Sequence, residues 1–585
     1  MLIYNYLALY LFAIFFSSGS YVSYTPFLLS SPRPETIHSL LGTLPKILKQ
    51  QHALTHTNLL FVGVKASVKK YDNCLWLFIH STGLANLLAS NIPNTMTAEQ
   101  AKKFQYWQYR TIIATMLGYA LFYFVRKNFS FAIPGLAAEY GISNTSFGII
   151  MTIVGLIYGL SRFLNGLLAD RMNGRWHMSI GLLLCVAASF AFGFSPAILG
   201  VELGVAPHSL VVLFGVLLVL NNIFQGSGFP PCARLLTHWI PPHELATKMS
   251  IWNTSHSIGA SVLAILCGYV MGTMGSDLTG NAEAVEAIRT NLTTLNPALL
   301  DNPAELEAQV ASAAAHVGAW QWCFWVPALF ALAGAVGLAV FLRDTPRSVG
   351  LPEMEGTHTK VEDNTNSAEY KAFLREKVFR NPLIWILAFA NFFVYVVRFA
   401  VLDWGPKFLQ EARGMDPAAA GWIIAVSEIM GIVGMLVAGW ATDKFFRGRA
   451  HRTCVFCMLG AAAFMAIFYF LPSTSPVVVL AGVLGMVGFF IYGPQALIGI
   501  AAANQATKSA AATANGVTGI FGYLSTFVSG LGIGAMVDWV NKVNPGQGWN
   551  YVFLMMIAMA VVGMLIFMMM WRAKATGYDT EEQQA

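Results

Sequence analysis

The chain has 585 residues, is 56% hydrophobic and only 11% charged. A soluble domain carries about 25% charged residues, so this composition excludes an ordinary soluble fold and points to a membrane protein. The net charge of +6 does not call for nucleic acid, because basic residues of membrane proteins collect in the loops that orient their helices.

Residues 1–95 stand apart. Positions 1–22 are apolar and aromatic with no basic start, a poor match to a signal peptide, and 25–94 shows no sustained period. Met96-Thr-Ala-Glu-Gln-Ala-Lys-Lys then reads as an ordinary protein start. Residues 1–95 are therefore expected to be an extension of low order or a mis-assigned start; the alternative is one extra membrane anchor.

About twenty apolar residues cross a bilayer. Such runs recur at 110–133, 146–168, 177–196, 208–230, 248–272 and 319–342, then at 382–405, 417–440, 452–471, 476–500, 512–535 and 549–571. The reading is an all-α membrane protein of twelve transmembrane helices in two groups of six. The expected division is 96–344 for the first bundle, 345–381 for a polar linker, and 382–585 for the second bundle and tail. Loops near 170–177, 234–248, 343–380 and 444–452 are basic, whereas 134–145, 197–207, 273–318 and 472–475 are poor in Lys and Arg. That asymmetry puts both ends of the bundle core in the cytoplasm. The long loop 273–318 is acidic and contains Asn291-Leu-Thr, a formal glycosylation acceptor of a kind that chance produces readily. Cys454-Val-Phe-Cys457 has no second pair and no nearby His, so it reads as apolar packing.

Two short motifs repeat. Gly166-Leu-Leu-Ala-Asp170-Arg171-Met-Asn-Gly-Arg175 follows the second span, and Gly439-Trp-Ala-Thr-Asp443-Lys444-Phe-Phe-Arg-Gly-Arg449 follows the eighth. The glycine admits a close helix neighbour, and the carboxylate can pair with loop arginines or a helix N-terminus. Asp170, Arg171, Arg175, Asp443 and Arg449 are expected to form a gating motif; the alternative is a solvated turn. The second repeat is deeper. Arg126, in Tyr123-Phe-Val-Arg126-Lys127, and Arg398, in Tyr395-Val-Val-Arg398 with Asp403-Trp404 beyond, each lie about 24 Å into a span by helix rise. An ionisable group at that depth costs about 2.5–3.5 kcal/mol on insertion scales and marks a functional site by default. Taken singly, either arginine could instead snorkel or serve a structural ion pair.

The paired loop motif resembles the major facilitator superfamily. The match narrows with Gly118-Tyr119-Ala-Leu-Phe-Tyr123-Phe-Val-Arg126-Lys127, Tyr158-Gly-Leu-Ser-Arg162-Phe, Phe224-Gln-Gly-Ser-Gly-Phe-Pro-Pro-Cys-Ala-Arg234, Trp252-Asn-Thr-Ser-His256-Ser, Val394-Tyr395-Val-Val-Arg398 and Tyr492-Gly-Pro-Gln. Together these are similar to the organophosphate:phosphate antiporters, over about 104–575 in one register. Residues 1–95 and 273–318 fall outside the resemblance.

The resemblance implies the major facilitator fold and exchange of a phosphorylated metabolite for inorganic phosphate, across an inner membrane, by a monomer that binds no nucleic acid and no cofactor. It implies substrate contacts from Arg126, Arg398, Arg162 and His256, and an inter-bundle salt bridge Lys127–Asp403. The chemistry suits it: a phosphate monoester is a dianion, and arginine forks bind phosphate oxygens bidentately. Many relatives carry lysine at position 162, so substrate preference there is open. A lone His in an apolar helix is usually packing, and a static bridge remains an alternative for Lys127–Asp403. Tyr119, Tyr123, Tyr395, Tyr492 and Tyr523 are expected to line the path, with packing as the alternative. Lys127 should point about 100° from Arg126. Glu428 is a further acid at membrane depth, and with His256 it leaves proton-coupled symport open. The family also includes a hexose-phosphate sensor, a second alternative. Gly530-x-Gly-x-Gly534 follows no strand, so it reads as helix packing, and no Walker loop is present. No nucleophile–base set or metal cluster supports an enzyme.

Overall fold

The computed structural model describes residues 96–169, 171–352, 368–472, 474–506 and 510–573. The expected extension 1–95, Asp170 of the gating motif and 353–367 of the linker lie outside these residues.

A lipid core offers no water to the backbone, so a spanning segment must bond its own N–H and C=O groups, as a helix does. Among the described residues, eleven helical segments are long and apolar enough to cross a membrane. The remaining crossing is the first, α1 (Ala98–Phe124) and α2 (Asn128–Tyr140), whose hydropathy is lowered by Lys102, Lys103 and Gln105. A capping box starts α1: Gln100 N donates to Thr97 Oγ1 at 3.3 Å and Thr97 N to Gln100 Oε1 at 3.0 Å. The first bundle continues with α3 (Asn144–Ala169), α4 (Gly174–Gly193), α5 (His208–Gln225) with α6 (Phe229–Trp239), and α7 (Pro242–Met271). A helical hairpin follows, α8 (Ala282–Leu295) and α9 (Pro303–Ala314), and then α10 (Ala319–Phe341). The second bundle is α11 (Pro382–Phe399) with α12 (Gly405–Arg413), α13 (Pro417–Phe446), α14 (Ala450–Phe470), α15 (Val477–Gln505), α16 (Ala511–Leu524) with α17 (Ile533–Val543), and α18 (Gly548–Met569). Large apolar side chains such as Trp422, Leu436, Phe470 and Met569 stay exposed around the bundles. Lipid tails cover such area.

Four crossings are interrupted in mid-course. The first breaks at Val125–Lys127, where Arg126 N and Lys127 N share one carbonyl, that of Tyr123. Neither Gly nor Pro lies there, so the break had no sequence signal. The fourth breaks at Gly226-Ser-Gly228, before the prolines that open α6, where Pro costs no helical bond. The seventh and eleventh pass through π turns at Ala400–Trp404 and Phe527–Gly532. Irregular backbone at membrane depth is tolerated where protein buries it or a cavity meets it. Arg126 stands at such a point, and Arg398 two residues before one.

One face of the molecule carries the turns at 171–173, 342–352 and 447–449; we call it the linker face. The other carries α8–α9, the hairpin face. The hairpin has a small core of Ile288, Leu299, Leu306, Val310 and Ala314 built onto Ala138 of α2. Asn291 is 3% exposed and its amide donates to Ala138 O at 3.0 Å. The formal glycosylation acceptor is therefore a packing residue.

Near the hairpin face the bundles are in close contact. α3 presents Gly148, Thr152 and Gly155 to the eleventh crossing: a Cβ on Gly148 would stand 2.5 Å from Gly530 O, and one on Gly155 2.5 Å from Thr526 Cγ2. Thr152 Oγ1 donates to Thr526 O at 2.8 Å and accepts from Leu531 N at 2.9 Å. Those backbone groups lie at the edge of and within the π turn. Asp538 of α17 caps the start of α3 across the interface, accepting from Thr145 N at 2.7 Å and Asn144 Nδ2 at 2.8 Å. On the pseudo-symmetric side, Gly268 of α7 packs on Pro417 O and Gly421 of α13 on Ala264 O. Toward the linker face the same helices part: a Cβ on Gly166, Gly516 or Gly519 would meet nothing within 4 Å. The protein is closed on the hairpin face and open toward the linker face.

Candidate functional site

The break in the first crossing turns Arg126 and Lys127 into one cavity, about 580 Å³ with its opening to solvent included. Its lining includes Ser130 and Asn222 from the first bundle and Asp403 and Tyr523 from the second. A continuous helix would have set the two cations about 100° apart; the broken one brings both to the same space. Arg126 Cζ lies 3.5 Å from the Tyr158 ring centroid and 5.5 Å from that of Tyr123, a cation–π arrangement that holds the charge in place without neutralising it. Tyr158 opens the Tyr158–Phe163 motif but is not among the expected site residues. It stands four residues before Arg162, on the same helix face, and that spacing was the available signal. Lys127 Nζ reaches Asp403 Oδ1 at 2.5 Å, with both side chains mostly buried.

Arg398 is 6% exposed. It lines a second cavity, of about 270 Å³, with Ser427, Glu428 and Tyr492. Arg398 and Phe399 are consecutive, and Phe399 lines the Arg126 cavity, so both spaces abut one stretch of α11. Arg398 Nη2 donates to Tyr492 OH at 3.4 Å, its Cζ lies 4.9 Å from that ring, and Tyr492 OH donates to Glu428. Its Nε makes no hydrogen bond among the described residues. Tyr395 is 5.7 Å from the Arg398 Cζ, the counterpart of Tyr123 beside Arg126. Glu428 thus meets a hydroxyl from α15.

Aromatic rings join the two arginines. Tyr123 stands 5.6 Å from the His256 ring, and His256 stacks on Tyr492 at 6.4 Å. The order across the site is Arg126, Tyr123, His256, Tyr492, Arg398. His256 Nδ1 faces Asn253 O and Nε2 lies 3.3 Å from Ser257 Oγ. A proton on Nδ1 satisfies both contacts and gives a neutral ring. Arg162 donates to Tyr523 OH at 3.1 Å and packs 4.2 Å from the Phe229 ring. That bond crosses between bundles on the linker side of the cavity. Tyr119 stacks on Trp252 at 4.9 Å and meets Tyr123 edge-on, while Tyr395 meets Phe399 and Tyr523 edge-on.

The site therefore gathers Arg126, Lys127, Arg162 and Arg398 against Asp403 and Glu428. The cations exceed the carboxylates by two formal charges, with hydroxyls and a guanidinium N–H still able to donate. Such a set can hold a dianion in a low-dielectric space.

The expected gating residues are placed differently. Arg175 Nε donates to Ala339 O at 2.6 Å, while Arg171 and Asp443 are exposed and Arg449 is partly exposed. Beside them lies a contact within the first bundle that sequence reasoning missed. Asp344 accepts from Gly174 N at 2.6 Å, capping α4, and pairs with Arg234 at 3.1 Å. An acid closing the sixth span on an otherwise basic face was the signal.

The sequence profile of the Major Facilitator Superfamily matches residues 115–530. The chain is 34% identical over 486 residues to the probable hexose phosphate transport protein of Chlamydia pneumoniae, covering 81% of this chain and 93% of that protein. It is 32% identical over 469 residues to the glycerol-3-phosphate transporter of Bacillus subtilis (strain 168), covering 79% and 92%. In fold it is similar to a bacterial homologue of the human lysosomal transporter Spinster, crystallised inward-facing and unoccupied, with a TM-score of 0.60 at 15% identity over 79% of this chain and 96% of that one. Matches of that extent, on two six-helix bundles with arginines at membrane depth, make this chain a member of the major facilitator superfamily, in its organophosphate:phosphate antiporter family, a family of transport proteins and not of enzymes.

Proposed function

We propose that the protein exchanges a small phosphorylated metabolite, a hexose phosphate or glycerol 3-phosphate, for inorganic phosphate by alternating access. The observation that carries this reading is the unbroken run of side chains from Arg126 through Tyr123, His256 and Tyr492 to Arg398, spanning both bundles. Its excess of two positive charges complements a phosphate dianion. Both exchange partners present that same group, so one site serves both. Arg126 and Arg398 take the phosphate oxygens, Arg162 and the tyrosines supply further donors, and the rest of the metabolite fills the Arg126 cavity. An empty site keeps its charges unbalanced in low dielectric and reorients slowly; a bound dianion neutralises them, draws the bundles together and lowers the barrier. The Lys127–Asp403 bridge holds the bundles until substrate competes for the lysine. Asp443 and Arg449 act on the linker face in the opposite conformation. The linker face, whose loops are basic, faces the cytoplasm at a cell's inner membrane, with 96–344 and 382–585 as the moving halves.

Purified protein in proteoliposomes loaded with unlabelled phosphate tests this. Labelled phosphate should enter only against internal phosphate or a competing sugar phosphate, and a transmembrane proton gradient should leave the rate unchanged. Binding of phosphate with no uptake would make the protein a receptor and refute the carrier reading.

A further inference from the structure

Asp403, Lys407 and Glu411 recur at four-residue spacing along the seventh crossing; Lys407 and Glu411 are neighbours on one face of α12, and Asp403 stands in the π turn just before it. That face meets the opposite bundle. Asp403 reaches Lys127 there, and the Phe147 ring of α3 lies 5.5 Å from Lys407 Nζ. The Lys407 side chain is wholly buried. Its ammonium stands 3.1 Å from Glu411 Oε1 but makes no hydrogen bond among the described residues. Glu411 is partly exposed and accepts from Trp549 Nε1 at 3.0 Å.

A buried ion pair is costly, and packed apolar residues in place of both partners are often neutral or better for stability. Folding alone therefore gives no reason for a lysine here. Its position does. Lys407 sits one turn from Asp403 toward the hairpin face, under a ring of the other bundle. When the bundles part on that face, Phe147 is withdrawn and Lys127 is drawn away from Asp403. The carboxylate would then be buried and alone, an arrangement that costs several kcal/mol.

We propose that Lys407 is a positioning residue, the alternate counter-ion of Asp403. In the state open on the hairpin face, Asp403 exchanges Lys127 for Lys407 on its own helix. Asp four residues before Lys is the favourable order for such a pair. Glu411 is released toward water, where a lone carboxylate costs little. The swap lowers the free energy of the open state without any substrate, and it rests on the alternating-access reading above.

Nitroxide labels at Val205→Cys and Val478→Cys, exposed sites on the hairpin face of opposite bundles, report the opening as a distance in ligand-free protein. Cys74→Ser removes the one cysteine beyond the six that are buried. Lys407→Met should reduce the parted fraction by about tenfold or more, because it leaves a buried carboxylate alone. Lys407→Arg should keep it within twofold. In an Asp403→Asn background, Lys407→Met should change it by less than twofold, since no carboxylate needs a partner. If the Met variant does not assemble, Lys407→Gln carries the same expectation. An unchanged parted fraction in Lys407→Met, or an equal fall in the Asp403→Asn background, overturns the proposal while leaving transport untouched. A parent protein that never parts on that face overturns the alternating-access reading and this proposal with it.

Discussion

Lys127 Nζ and Asp403 Oδ1 meet at 2.5 Å although 276 positions separate them in sequence. The pair ties the break in the first crossing to the π turn of the seventh, so a single ion pair links the irregular points of two symmetry-related helices. Both side chains keep a little exposure, 12% and 18%. Removing one partner strands the other charge at membrane depth. Lys127→Met should therefore lower stability toward the low end of about 3–5 kcal/mol, and Lys127→Met/Asp403→Asn should recover most of that loss. Thermal unfolding of the purified single and double variants measures the coupling.

Arg398 has an unused N–H beside a cavity and a Tyr492 hydroxyl at 3.4 Å. Lysine keeps its charge but loses the planar fork. Arg398→Lys should slow phosphate exchange by about 10–100-fold, the loss of one charged hydrogen bond or somewhat more, at normal membrane insertion. Arg126→Lys should behave alike. Exchange at the parental rate in either variant would remove that arginine from the site.

Closure on the hairpin face depends on a missing side chain. A Cβ at Gly148 would come within 2.5 Å of Gly530 O, a backbone atom that cannot rotate away. Gly148→Val should hold that face apart, lengthen the Val205–Val478 label distance and abolish exchange. Phosphate binding, measured by equilibrium dialysis, should persist within about threefold, because no charged or hydroxyl group of the site is altered.

Asp344 caps α4 and pairs with Arg234. Asp344→Ala should destabilise by about 1–2 kcal/mol through the lost cap. Asp443 is exposed, so Asp443→Asn should leave stability within about 0.5 kcal/mol while slowing exchange if the residue acts in the opposite state. Melting temperature and exchange rate, read side by side, separate the two carboxylates.

Much of this was written along the chain. Hydropathy runs located the crossings, because a lipid core demands about twenty apolar residues wherever a helix passes, although the first, fourth, seventh and eleventh extend well beyond the expected bounds. The repeated Tyr-x-x-Arg marked both deep arginines, because a charge in an apolar run has no cheap structural reason. Tertiary structure decided what those charges meet. The break at Val125–Lys127 carries no Gly or Pro, so only packing against other helices reveals it, and with it the shared cavity of Arg126 and Lys127. The Arg126 contact with Tyr158, the Tyr492–Glu428 bond, the Asp538 cap on a helix of the other bundle and the burial of Asn291 all join residues far apart in sequence. Helical periodicity is local and fixes which face a side chain occupies; the partner on that face is fixed only when the bundles come together.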